Sequence, residues 1–217
     1  MPLTALVPLL PLLAGAFAVP QYLPQLLRVR RLGAAAGVSW SWAALAAVNN
    51  LAWAVYFVWS GVPSGLVAVL SCALVAGLLT HALTRLGGGV DPRVVAGVAA
   101  WVVVMALAGL LGGRLGLGAA MNVALIVQVA PSVVTAWRSR DVSGISVGTW
   151  LLVMGELTCF GLFGLATGDR TLLLLGVVGD AAGLLMLARV AWERVRQERP
   201  TAHPVTAPVP VTAGIPG

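Results

Sequence analysis

Lysine is absent from these 217 residues, and all 13 basic side chains are arginine. Without a lysine amine no Schiff base to retinal or pyridoxal can form, which excludes a retinal-binding bundle and lysine-dependent carbonyl chemistry. Cysteine is nearly absent. Cys72 and Cys159 both fall inside apolar runs, with no disulfide framework and no metal-ligand spacing, so they are expected to pack as small helix residues. Only two histidines occur. His81 sits near the end of an apolar segment without an evident acid partner, and His203 lies in a proline-rich tail. No Ser/His/Asp set and no metal cluster can be drawn, so neither an enzyme nor a metal or other cofactor is expected. Charge is scarcest of all: 9% of residues are charged against 59% hydrophobic, and the mean hydropathy is +0.98. Too little charged surface exists to cover a soluble domain, so the chain reads as a polytopic membrane protein in contact with lipid. No cationic stretch precedes the first apolar run, which is expected to be a retained helix and not a cleaved signal.

What is present is a series of seven apolar segments, roughly 4–27, 38–59, 64–84, 94–112, 118–137, 147–167 and 171–191. Each is near the ~20 residues that cross a bilayer core. The least marked break falls between the fourth and fifth, where only Arg114 interrupts a glycine-rich run. With the N-terminus outside, 11 arginines fall on the cytoplasmic side and only Arg114 and Arg170 on the other. By the positive-inside rule the expected topology is N-out and C-in, in the cell membrane. The net charge of +6 is therefore a topology signal, and no nucleic-acid partner is expected. Residues 196–217 carry many prolines and few large apolar groups, and are expected to be a disordered cytoplasmic tail.

Two prolines, Pro20 and Pro24, interrupt the first segment, within Val19-Pro20-Gln21-Tyr22-Leu23-Pro24-Gln25. Arg28, Arg30 and Arg31 follow, then Gly37-Val38-Ser39. The pattern recurs as Gln128-Val129-Ala130-Pro131, Arg138 and Arg140, and Gly144-Ile145-Ser146. Gln21 to Gln128, Pro24 to Pro131 and Gly37 to Gly144 are each separated by 107 positions. One constant offset means an internal duplication. A three-helix unit ends on the face opposite its start, so one linking helix lets a second copy run parallel to the first. The expected architecture is all-α, seven transmembrane helices as 3+1+3. Its parts are a first repeat at 1–87, a linker helix at 88–117 and a second repeat at 118–195.

With these residues the chain resembles the PQ-loop repeat family, and within it the SWEET-like sugar transporters. The first repeat reads Pro24-Gln25, the arginine-rich turn, Gly37-Val38-Ser39, Trp53 and Tyr56; the second reads Pro131-Ser132, Arg138, Gly144-Ile145-Ser146, Phe160, Phe163 and Asp169. The resemblance covers about 15–85 and 122–192. It implies a carrier that moves a small polar solute, sugar included, by alternating access, with Pro24, Gln25 and Pro131 as hinges. Trp53 and Phe160 stand where that family presents an aromatic face to substrate. The chain departs from the pattern at Ser132, where the family has glutamine, and at Val69 and Gly176, where it often has an asparagine lining the substrate site.

The residues themselves point the same way. A proline inside a helix removes a backbone donor and costs about 3 kcal/mol in an ordinary helix; in a membrane the freed carbonyl needs another partner, which Gln21, Gln25 or Gln128 could supply. Such a site works as a hinge or stands as a static kink. Glu156 and Asp180 are the only acids placed within apolar segments, where an acid faces a cavity or a partner and is often functional. Glu156 is the repeat mate of Asn49; Asp180 lies one turn beyond Gly176 and is expected to replace the missing asparagine. The candidate substrate site is Asn49, Trp53, Glu156, Phe160 and Asp180, with Asp180 and Glu156 also the candidates for proton coupling. Trp40, Trp42, Trp59 and Trp150, near segment ends, read as interfacial anchors. Two other readings stand beside the carrier: a proton-coupled transporter of amino acids or cationic solutes, and a non-transporting receptor or assembly factor on the same scaffold. Homo-oligomerisation is compatible with each.

Overall fold

The computed structural model describes residues 6–33, 39–86, 90–138 and 145–198. Among them every regular element is helical: α1 (Leu10–Leu32), α2 (Trp40–Trp59), α3 (Leu66–Leu86), α4 (Pro92–Arg138), α5 (Val147–Thr167) and α6 (Arg170–Glu198). Short 3-10 turns at Val7–Leu9 and Pro63–Gly65 lead into α1 and α3. The six helices are long and apolar enough to cross a membrane. The motif residues Gly37, Val38, Arg140 and Gly144, and the tail from 199 onward, lie outside the described residues. The first three residues assigned to a disordered tail, 196–198, instead continue α6.

Helix α4 is too long to be one crossing. Its 47 residues would stretch about 70 Å at 1.5 Å per residue, against a hydrocarbon core of about 30 Å. Helical geometry fails within it at Gly113, with φ 57° and ψ −148°, a conformation open to glycine and costly for any other residue. The chain doubles back there. A methyl group on Gly116 would collide with the Ala108 carbonyl oxygen, and one on Gly109 would lie 3.8 Å from Leu117 Cβ. Residues eight apart in a straight helix are separated by about 12 Å. The boundary that the sequence marked only by glycines and Arg114 is therefore a sharp turn between two arms of α4.

The duplication is visible in how α2 and α5 start. Ser39 and Ser146, 107 positions apart, both leave the extended region and cap their helices, each hydroxyl accepting a backbone N–H three residues on (Trp42 and Thr149, both 3.3 Å). Each cap satisfies one of the donors a helix start leaves orphaned. Alanine at either serine is expected to lower stability by about 1 kcal/mol, and alanine at both by about twice that, since the sites are far enough apart to add. Thermal unfolding in detergent checks it; a double variant no weaker than either single one contradicts independent caps.

α1 and α2 both lie against α3, and α4 and α5 both lie against α6, while α1 meets α5 and α2 meets α4, at Asn49–Trp101 and Trp59–Gly109 on its first arm. The α5–α6 contact is closest: the Cβ position of Gly161 is 3.1 Å from Gly176 Cα, so the two backbones touch. The main core between the halves holds Tyr56, Phe57, Met121, Phe160 and Leu172. At the end where α4 finishes, buried Arg189 of α6 donates from Nε to the Ala136 carbonyl (3.0 Å) and from Nη1 to Glu193 (2.9 Å). Pairing of this kind offsets the cost of burying a guanidinium.

Candidate functional site

A cavity of about 340 Å³ lies between the halves, lined by α1, α2 and α3 on one side and α4, α5 and α6 on the other. Its lining repeats the internal duplication. Gln21 faces Gln128 in that sense, Tyr22 Val129, Trp42 Thr149, Asn49 Glu156, Asn50 Leu157, and Trp53 Phe160: six pairs, every one 107 positions apart. Four of the five residues expected to bind substrate, Asn49, Trp53, Glu156 and Phe160, are brought together here.

The polar groups are distributed along this lining. Gln21 Nε2 donates to Glu156 Oε2 at 2.6 Å, joining α1 to α5, a short distance as expected of a bond to a carboxylate. Asn49 Oδ1 accepts from the Trp101 indole N–H at 2.9 Å. Asn50 Nδ2 returns to the Ala46 carbonyl of its own helix at 2.8 Å. Phe57 and Phe160 stack tilted with centroids 5.2 Å apart, and Trp53 lies 6.1 Å from Phe57. These three rings form an aromatic stretch of the cavity lining.

The end of the bundle that contains Gly113 is tied by a polar knot. The Tyr56 hydroxyl lies 2.8 and 2.9 Å from the two carboxylate oxygens of Asp169, to which it donates. Asp169 Oδ1 also accepts the Thr171 and Leu172 N–H groups at 3.0 and 3.2 Å, capping α6. Arg114, just past the Gly113 turn, stands 3.9 Å from Asp169 Oδ2 and 5.9 Å from the Tyr56 ring centroid. Nearby, buried Asn122 of α4 donates to the Gly118 and Thr171 carbonyls at 3.0 and 3.2 Å. The knot joins α2, the α4 turn and the start of α6. At the opposite end the cavity reaches the surface past Trp42, Ser132 and Thr149, all exposed.

Asp180 is not in the cavity. Its carboxylate accepts from the Thr158 hydroxyl at 3.0 and 2.9 Å, between α6 and α5. The reason lies one turn earlier. Gly176 faces the α5 seam and touches Gly161, and a residue four further on shares nearly the same face. Asp180 therefore does not replace the asparagine missing at Gly176, while Val69, at the matching place in the first half, does line the cavity. Pro24 and Pro131 lie within α1 and α4 with exposed rings, and both helices continue through them. Gln25 is helical; its side chain lies outside the described residues. Tyr22, Trp42 and Trp150 line the cavity without having been singled out for it. Trp42 and Trp150, read as interfacial anchors, also line the cavity, and Trp59 is half-exposed. The offset of 107 relates Trp42 to Thr149, which lines the opposite side of the cavity.

Comparison with models of protein families finds no match for this chain, and comparison with curated proteins finds none either.

Proposed function

We propose that the protein is a membrane carrier that moves a small polar solute by alternating access, in the manner of the PQ-loop, SWEET-like family it resembles. In this reading the two arms of α4 cross separately, making seven crossings as 3+1+3: α1–α3, the first arm as linker, then the second arm with α5 and α6. The N-terminus lies outside and the C-terminus in the cytoplasm of a cell membrane. The observation that carries the proposal is the six-pair lining of the cavity. A solute held at the seam between two equivalent halves can be exposed to either face by rocking one half against the other. The polar knot of Tyr56 and Asp169 at one end, read as its closure, and the opening at the other support it. The conformation is then inward-facing. Glu156, the one carboxylate among the lining residues, takes any proton-coupling role in this reading.

Cys72 lines the cavity as a free thiol and serves as a native reporter, with Cys159 replaced by serine. A membrane-impermeant maleimide added to the outside of cells is expected to label Cys72 slowly, and about tenfold or more faster in Tyr56→Phe, which loses one hydrogen bond of the closure and leaves the α6 cap intact. Removing a hydrogen bond to a charged group shifts such an equilibrium by about 1.5–3 kcal/mol. Labelling from one face only, unchanged by Tyr56→Phe, contradicts alternating access and favours a receptor on this scaffold.

A further inference from the structure

The two repeat-equivalent positions at the centre of the cavity, Asn49 and Glu156, are chemically unlike, and a residue from outside both repeats sets that difference. Trp101 lies on the first arm of α4, 52 positions from Asn49. An indole N–H is a donor only, so the atom of Asn49 it contacts must be the amide oxygen. The amide is thereby turned with its oxygen toward α4. Asn49 Nδ2 has no hydrogen-bond partner among the described residues, and the side chain lines the cavity. Across the seam Glu156 uses Oε2 for Gln21, and Oε1 is engaged by no described residue. Of the lining residues Glu156 alone has a carboxyl group, and no arginine is among them. The cavity thus offers an N–H donor at one repeat position and a carboxyl oxygen at the other, with Trp53 in the same lining.

We propose that this cavity takes a small organic monocation that also carries a hydrogen-bond acceptor, and that Trp101 is the positioning residue that fixes its polarity. The ammonium end meets Glu156 and the aromatic face of Trp53; the acceptor end receives the Asn49 N–H. A neutral polyol leaves the carboxylate without a counter-charge. A zwitterion brings in a second carboxylate with no cation to meet it. Both are disfavoured where water is largely displaced. The proposal rests on the cavity being the solute site of the carrier described above.

Binding, followed by the fluorescence of the cavity tryptophans in purified protein, separates the terms. The probes are 2-methoxyethylamine, its isostere n-butylamine, L-alanine, glucose and 1,4-diaminobutane. The wild type is expected to bind 2-methoxyethylamine about fivefold or more tighter than n-butylamine, the worth of one neutral hydrogen bond. L-alanine and glucose should bind more weakly than either. Glu156→Gln should weaken both amines about thirtyfold or more. Trp101→Phe should bring the ratio of the two amines toward one while leaving n-butylamine unchanged, an outcome that mere loss of packing does not produce. Asn49→Asp should make 1,4-diaminobutane the tighter ligand. Glucose or L-alanine binding above the amines overturns the substrate class, and an unaltered ratio in Trp101→Phe overturns the positioning role, even if Glu156→Gln fails to fold. Neither result touches the alternating labelling of Cys72, so failure of this inference is distinguishable from failure of the carrier reading.

Discussion

Leucine in place of both Pro24 and Pro131 is expected to leave the protein folded and able to bind its solute, and to stop exchange of that solute across a bilayer. Each proline withholds a backbone N–H and leaves the carbonyl four residues earlier without its helical partner, at Pro20 in α1 and Val127 in α4. Their rings are exposed, so leucine fits without crowding the core. Each replacement restores one hydrogen bond of the helix, worth up to about 3 kcal/mol in an ordinary helix. In a membrane helix, where neighbours partly satisfy the freed carbonyl, the gain is smaller. The stiffer helices resist the bend by which one end opens as the other closes. The effect should appear as a higher unfolding temperature, unchanged binding by tryptophan fluorescence and loss of exchange in proteoliposomes. Exchange at the wild-type rate in the double variant would sink the hinge assignment and leave the prolines as fixed features of the scaffold. Because Pro24 and Pro131 are equivalent, the two single variants should show similar partial losses.

The largest loss of stability is expected from Gly161→Leu. A Cβ on Gly161 would stand 3.1 Å from the Gly176 Cα, and one on Gly176 would stand 2.9 Å from the Leu157 carbonyl oxygen. The neighbour in each case is backbone, which cannot rotate aside as a side chain can. Small residues allow this approach between membrane helices, whose association relies on close packing with little hydrophobic drive between them. A leucine there must force α5 and α6 apart, and overpacking of this kind costs about 1–3 kcal/mol or more. That is a large share of the ~5–15 kcal/mol by which a folded domain is stable. It would also disturb the Thr158–Asp180 bond and the Phe160 wall of the cavity. Gly77→Ala is the matched control: nothing lies within 4 Å of its Cβ position, and alanine in a helix should be neutral or stabilising by up to about 1 kcal/mol. Size-exclusion profiles and thermal unfolding of the two variants should therefore diverge. A Gly161→Leu protein as stable as the Gly77→Ala control would contradict the close crossing.

Much of the site was legible because a duplication writes itself into residue numbers. Asn49 with Glu156, and Trp53 with Phe160, could be paired from the offset of 107 alone, and all four line the cavity. Gln21 and Gln128 belonged to the same pattern but were read only as partners for proline-freed carbonyls, when both line the wall. The offset identifies equivalent positions and says nothing of which way they face. Asp180 shows the consequence. Its class and depth pointed to the cavity, yet the rotation of α6 that lets Gly176 meet Gly161 turns it toward Thr158. Helix rotation is set by which small residues allow two backbones to touch, a property of pairs of helices rather than of one segment.

The sequence by itself determined the apolar helical class, the duplication and the positions that are equivalent, since all of these are local or periodic. Only the tertiary structure decided the Gly113 reversal, the Tyr56–Asp169 bond, the pairing of Gln21 with Glu156 and the reach of Trp101 to Asn49. Those contacts join residues 135 and 52 positions apart in the last two cases. No pattern of spacing encodes such a meeting, because it depends on how separate helices rotate and cross once their close-packing surfaces have found one another.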